Sequence, residues 1–236
     1  MSQHSGSPSA SEFKGISGIK RAFATPSALT MLFLGFGSGL PFLLVGGTLS
    51  TWLRDVGMSL SIIGLISYAG FFYVLKFLWA PFVDRFALPF LGRRRGWLLL
   101  SQSLLLVALA LMAIVDPKSS TVVFVALIAL ASFAGATQDI VVDAYRIEIA
   151  PLEMQGALAA TYTLGYRFGI ILSGAVALYL ADLFGWTVTY LAMAVTLLLP
   201  MMAVLLSREP ANNLQRSATH EALIDTLIKP LKAFFQ

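Results

Sequence analysis

Residues 80–97 read Ala80-Pro-Phe-Val-Asp84-Arg85-Phe-Ala-Leu-Pro89-Phe-Leu-Gly92-Arg93-Arg94-Arg95-Gly96-Trp97. Five charges crowd this stretch, whereas residues 60–79 hold only Lys76 and residues 98–115 hold none. Each flanking run is close to the roughly 20 apolar residues that a helix needs to cross a bilayer. A cationic loop between two such runs is the pattern of a cytoplasmic hairpin in a membrane protein.

Working outward, six apolar segments qualify as spans: 27–49, 60–82, 97–115, 121–142, 157–181 and 186–207. Helix is the form expected for all of them, because lone strands would leave backbone polar groups unpaired in lipid. The composition agrees: 58% of the 236 residues are hydrophobic and 12% are charged, with a mean hydropathy of +0.82. Soluble domains carry roughly 45–50% apolar and about 25% charged residues. Disordered, collagen-like and nucleic-acid-binding classes are excluded. With no cysteine, disulfides, thiol nucleophiles and thiolate metal sites are excluded too. His4 and His220 lie in polar end segments, so neither a metal nor a cofactor is expected.

Charge sets the orientation. Lys14, Lys20 and Arg21 precede the first span, and Arg85 with Arg93–Arg95 separates the second from the third. Arg146 follows the fourth, while Arg208, Arg216, Lys229 and Lys232 follow the sixth. The opposite loops hold only Arg54 and Lys118, so both termini are expected to be cytoplasmic. Residues 1–26 read as a polar cytoplasmic tail leading into an uncleaved signal anchor, residues 27–207 as the helical bundle and residues 208–236 as a linker. In that linker Leu223, Ile224, Leu227, Ile228, Leu231, Phe234 and Phe235 recur at helical spacing, interrupted by Pro230. They suit either an interfacial helix or a face packed on the protein.

Ionisable groups inside spans cost at least about 2.5–3.5 kcal/mol each and normally face a protein interior or an aqueous cavity. Here they are Lys76, Asp139, Asp143 with Arg146, and Arg167. They fall in the second, fourth and fifth spans; the third and sixth read as outer supports. Asp139, Asp143 and Arg146 lie within about 60° of arc on one helix face, a stripe continued by Ser132, Gly135 and Ala136. Two carboxylates one turn apart need a shared cation or a proton, with Lys76 and Arg167 as candidate partners. The cluster reads as a proton and solute pathway or as an ion-pair network joining helices; Asp143 and Arg146, nearer the cytoplasm, also suit a gate or cap. Gln138 suits a hydrogen bond to solute or to a neighbouring helix.

Gly35 and Gly39 form a small-residue face ahead of Pro41, where a kink is expected. The fifth span is small at every fourth position through Ala157, Thr161, Gly165, Gly169, Ser173, Ala177 and Ala181, the signature of close helix packing. Arg167 points about 200° away from Gly165 and is expected to present a cation to a cavity. Asp84, unfavourable at a helix C-terminus, requires a cationic partner. Asp182-Leu-Phe-Gly185-Trp186 weakly echoes Gly96-Trp97, as an inverted repeat would.

Asp84-Arg85 followed by Gly92-Arg93-Arg94-Arg95 resembles the loop motif of the major facilitator superfamily, with an insertion between its halves. Five runs are similar to its muropeptide permease (AmpG) subgroup. They are Gly35-Phe-Gly-Ser-Gly-Leu-Pro41, Phe77-Leu-Trp-Ala-Pro-Phe-Val-Asp84-Arg85, Gly92-Arg-Arg-Arg-Gly-Trp97, Ala136-Thr-Gln-Asp139-Ile-Val-Val-Asp143-Ala and Leu164-Gly-Tyr166-Arg167. The resemblance implies an all-α membrane protein whose six transmembrane helices form one bundle of two inverted three-helix repeats. It implies proton-driven import of anhydromuropeptides across the bacterial inner membrane for peptidoglycan recycling, which in many bacteria also feeds β-lactamase induction. It implies a second six-helix bundle as partner, because the resemblance covers only the first bundle and the start of a linker. Related carriers take acetyl-CoA, so another anionic solute is the alternative within the fold. From other classes, a non-transporting membrane anchor and an aspartyl hydrolase using Asp139 with Asp143 are the alternatives; no nucleophile, oxyanion site or metal ligand accompanies those carboxylates.

Overall fold

The computed structural model describes residues 23, 25–88 and 91–210. Nearly all of the N-terminal tail and the amphipathic stretch 223–235 lie outside the described residues. Within them every regular element is helical.

Five helical stretches are long and apolar enough to cross a bilayer: Pro26–Asp55, Leu60–Leu78, Arg93–Ile114, Thr121–Ile149 and Leu152–Leu206. The last has 55 residues. Drawn straight it would measure roughly 80 Å, against a hydrocarbon core of about 30 Å. It reverses at Gly185, whose φ of 80° and ψ of 168° are non-helical. The pairings with the first span give the directions. Gly35 abuts Tyr162, Gly39 abuts Tyr166, and the Thr48 hydroxyl donates to the Ser173 carbonyl at 2.6 Å; these run parallel. Beyond Gly185 the order inverts: the Asp55 carboxylate accepts from Trp186 Nε1 at 3.1 Å, the Leu44 carbonyl from the Tyr190 hydroxyl at 2.8 Å, and Gly37 faces Pro200. The stretch is therefore two antiparallel passes, the fifth and sixth spans.

The first span is the axis of the bundle, with 61% of its most apolar window buried, against 11% for the second. Thr25 caps it by accepting from the Ala28 N–H at 3.3 Å, with Pro26 in the first turn. The helix passes through Pro41, where a kink was expected, and breaks four residues later at Val45–Gly46 before resuming as Gly47–Asp55. Proline forfeits one ladder bond, but the helix continues to Leu44, and the Pro41 carbonyl still accepts from the Val45 N–H at 2.9 Å. The second span is also not the single α-helix expected over 60–82. It steps through Leu60–Ile66, the 3₁₀ turn Ser67–Gly70, Phe71–Leu75, the 3₁₀ turn Lys76–Leu78 and Ala80–Arg85.

The third span starts at Arg93 rather than 97 and the fourth runs to Ile149 rather than 142. Both extensions carry charges that satisfy one another, as described below, so helix continues past the apolar limit. Gly92 (φ 89°, ψ −179°) and Gly185 hold the same glycine-favouring conformation, each immediately before a helical stretch. On the opposite loop Asp116 accepts from the backbone N–H groups of Lys118 (3.1 Å) and Ser119 (3.3 Å). The Lys118 N–H is the main cause holding this exposed carboxyl below its ordinary pKa.

The core divides into two apolar clusters. One contains Leu40, Leu44, Trp52, Leu105, Leu109, Phe124, Ile128 and Tyr190; the other contains Met31, Leu34, Leu98, Val141, Tyr145, Leu158 and Val204. The chain segments between them carry the buried polar residues Ser38, Gln102, Thr137 and Gln138. A polar layer therefore crosses the middle of the bundle.

Candidate solute cavity

One residue beyond Gln138, Asp139 lines a cavity of about 290 Å³ together with Lys76, Asp143, Tyr162, Thr163 and Tyr166. The fourth span supplies the two carboxylates one turn apart, the second supplies the cation from its 3₁₀ turn, and the fifth supplies two tyrosines one turn apart. The Tyr162 and Tyr166 rings stack with centroids 6.2 Å apart and planes 29° apart. Such a wall offers a cation, carboxylates and flat aromatic faces to one ligand.

Asp139 Oδ1 is buried and has no hydrogen-bond partner among the described residues. The hydroxyl of Tyr73 is likewise buried without a partner, and it fills the space that a Cβ at Gly135 would take. Asp143 is exposed to the cavity and forms a long ion pair of 3.9 Å with Arg146.

Close packing fixes the tyrosines. A Cβ on Gly35 would collide with the Tyr162 carbonyl and one on Gly39 with the Tyr166 carbonyl; Gly165 and Gly169 meet the Leu32 and Phe36 carbonyls in return. Backbone therefore lies on backbone, the use of small residues in membrane helix pairs. Ala136 is fully buried.

The structure thus brings together Lys76, Asp139, Asp143 and Tyr166 from the residues expected on the pathway. It does not bring Gln138, Arg146 or Arg167 to the wall. Gln138 is fully buried, about 100° round the helix from Asp139, and its Nε2 donates to Ser38 Oγ at 3.1 Å. Arg167 is exposed one turn beyond Thr163 but is not among the residues that line the cavity, and no ion pair joins it or Lys76 to a carboxylate among the described residues. Ser38, Tyr73, Tyr162 and Thr163 were not singled out from sequence. The spacing of Tyr162 to Tyr166 was the one available signal, since residues four apart share a helix face.

At one end of the bundle the loop motif assembles a second charged group. Arg94, 4% exposed, donates through Nη1 to Asp84 Oδ1 at 2.6 Å and through Nε to both oxygens of Glu148 at 3.1 Å. Arg93 reaches Glu148 at 3.0 Å and the Asp84 carbonyl at 3.2 Å. Arg95 caps the sixth span at the Val204 and Leu205 carbonyls, 3.0 and 2.9 Å. Glu209 accepts from the backbone N–H groups of Arg94 (2.8 Å) and Arg95 (3.0 Å) at the start of the third span, where a helix favours negative charge. Arg85 is exposed and makes none of these contacts.

The sequence profile of the Major Facilitator Superfamily matches residues 31–236. The chain is 44% identical over 216 residues to the anhydromuropeptide permease of Escherichia coli strain K12, covering 91% of this chain and 43% of that one. It is 39% identical to a Haemophilus influenzae protein, covering 90% and 50% respectively. It is 34% identical to a Rickettsia conorii protein bearing the name AmpG 4, covering 92% and 54%. The chain spans about half the length of the curated relatives it matches.

Proposed function

Because the chain belongs to the Major Facilitator Superfamily, we propose that it forms one bundle of a proton-coupled importer of anhydromuropeptides, acting in peptidoglycan recycling at the bacterial inner membrane. The observation that carries this reading is Asp139: a carboxyl whose Oδ1 is buried without a partner among the described residues, on the wall of a polar cavity shared with Lys76 and two stacked tyrosines. The similarity to the E. coli anhydromuropeptide permease supports the choice of solute.

The chemistry suits that solute. Sugar rings present apolar faces to aromatic side chains, and the solute carboxylates pair with Lys76. Asp139 takes a proton on one side of the membrane and releases it on the other, so the proton gradient supplies the energy and no cofactor takes part. At about 290 Å³ the cavity sits at the lower edge of the range of about 300–1,000 Å³ typical of ligand sites. A disaccharide-peptide would overfill it, and a second six-helix bundle provides the facing wall. The positive-inside bias supports cytoplasmic termini.

The test is uptake of radiolabelled anhydromuropeptide by cells lacking their own permease, expressing this chain together with a second bundle. Uptake should be abolished by a protonophore and by Asp139→Asn. Uptake that survives both would overturn proton coupling through Asp139. Uptake competed by acetyl-CoA but not by anhydromuropeptide would overturn the choice of solute.

A further inference from the structure

Between residues 73 and 79 of the second span every third side chain is shielded. Tyr73, Lys76 and Trp79 are half-buried, whereas Val74, Leu75, Phe77 and Leu78 are exposed. Three residues of α-helix turn through about 300°, so an α-helix would swing such a row about 60° off course at each step. A 3₁₀ turn has three residues per turn and stacks them. The 3₁₀ turn Lys76–Leu78 falls inside this row and keeps Lys76 in line with the residues on either side of it.

Both flanking residues are fixed to the fourth span. The Tyr73 hydroxyl occupies the place that a Cβ on Gly135 would take. Trp79 Nε1 donates to Thr137 Oγ1 at 3.1 Å. The Thr137 hydroxyl donates in turn to the Phe133 carbonyl at 2.8 Å, which commits its hydrogen and leaves its lone pairs for the indole. The Trp79 ring lies 5.0 Å from that of Phe133, centroid to centroid, and Phe72 closes the trio at 6.0 Å from Phe133. With 11% of its most apolar window buried, the second span has little else to hold it. No ion pair joins Lys76 to a carboxylate among the described residues, so its place on the cavity wall is inherited from these neighbours. Neither Trp79 nor Thr137 lines the cavity.

We infer that Trp79 and Thr137 are positioning residues for Lys76: their hydrogen bond, with Tyr73 seated on Gly135 at the other side, keeps the Lys76 ammonium on the cavity wall beside Asp139 and Asp143. The consequence for solute binding rests on the reading of Lys76 as the cation that pairs with the solute.

The placement is tested on this chain in membranes with a water-soluble carbodiimide at about pH 7. The reagent activates a carboxyl of Asp139 or Asp143, the Lys76 amine displaces it as the urea, and an amide bond joins the two spans. Mass spectrometry follows the initial rate of that cross-link. Loss of one neutral hydrogen bond is worth about threefold to tenfold, so Thr137→Val and Trp79→Phe should each slow it by about that factor. Thr137→Ser, which keeps the hydroxyl, should return the parent rate. Capture of exposed Asp143 by added glycine ethyl ester should stay within about twofold throughout, as the folding control.

The consequence is tested by anhydromuropeptide uptake with a second bundle present. Thr137→Val should raise KM about threefold to tenfold with kcat within about twofold. Combined with Lys76→Gln it should add nothing to the effect of Lys76→Gln alone, because Thr137 acts only through Lys76. A cross-linking rate unchanged in both Thr137→Val and Trp79→Phe would overturn the inference. So would a parent chain that forms no cross-link, additive effects of Thr137→Val and Lys76→Gln on KM, or a change in Asp143 capture equal to the change in cross-linking. If cross-linking slows as expected but Lys76→Gln leaves KM unchanged, the positioning role stands and the reading of Lys76 as the solute's cation fails.

Discussion

The Arg94 Nε donates to both carboxylate oxygens of Glu148 at 3.1 Å, across a separation of 54 residues in the chain. The two side chains are 5% and 8% exposed, whereas Asp84, the other partner of Arg94, is half exposed at 50%. Removing one member of a buried pair strands the other, at about 3–5 kcal/mol, while exposed pairs contribute about 0–1 kcal/mol. Glu148→Gln should therefore destabilise the chain by about 3 kcal/mol and Asp84→Asn by about 1 kcal/mol or less. Thermal unfolding in detergent would check the order; a larger loss from Asp84→Asn would contradict it.

Glycine substitutions should divide by what a methyl group would meet. At Gly165 a Cβ runs into the Leu32 carbonyl, and backbone cannot step aside as a flexible side chain can. Gly165→Ala should cost at least the roughly 1–3 kcal/mol typical of overpacking and split the first span from the fifth. At Gly64, where nothing lies within 4 Å, alanine should raise stability by about 0.5–1 kcal/mol through helix propensity. The melting temperatures of the two variants should move in opposite directions.

Position relative to the cavity should outweigh charge. Lys76 lines the wall and Arg167 does not. In the uptake assay Lys76→Gln should raise the KM for an anionic solute about tenfold or more, the worth of one charged hydrogen bond. Arg167→Gln should leave KM within about twofold. Equal effects would mean that Arg167 reaches the solute by a route this structure does not provide.

The tyrosine pair should act through its faces. Tyr166→Phe keeps the ring and should preserve KM within about twofold. Tyr166→Ala removes the stack with Tyr162 and should raise KM about five- to tenfold, in line with aromatic pairs of about 0.5–1.5 kcal/mol. If the phenylalanine variant is as impaired as the alanine one, the hydroxyl and not the ring is the contact.

At the start of the third span, Glu209→Gln should cost about 0.5–2 kcal/mol, since it keeps an acceptor but loses the charge that faces two helix N–H groups. Gly92→Ala should cost more. Its φ of 89° disfavours any side chain, and the new Cβ would lie 2.6 Å from Glu209 Cδ. Urea or thermal denaturation of the two variants side by side would rank them.

The amino-acid sequence determined the class of this protein on its own, because lipid imposes a length and an apolarity that a linear scan detects. It also fixed angular relations within each helix: Asp139 with Asp143 on one face, Gly165 with Gly169 on another. Those depend only on the 100° turn per residue. What stands at each angle was decided by tertiary packing. Gln138 was placed behind the cavity by the position of Ser38, one hundred residues away. The small-residue ridge of the fifth span seats against the first and sets Tyr162, Thr163 and Tyr166 on the wall, whereas Arg167, one turn beyond Thr163, is not among the lining residues. Glu148 and Glu209 looked unremarkable in sequence and became partners of the Arg93–Arg95 run only when four helix ends met. Periodicity is local and encodes direction around an axis; which neighbour lies in that direction depends on how non-adjacent helices dock, and only the folded bundle contains that information.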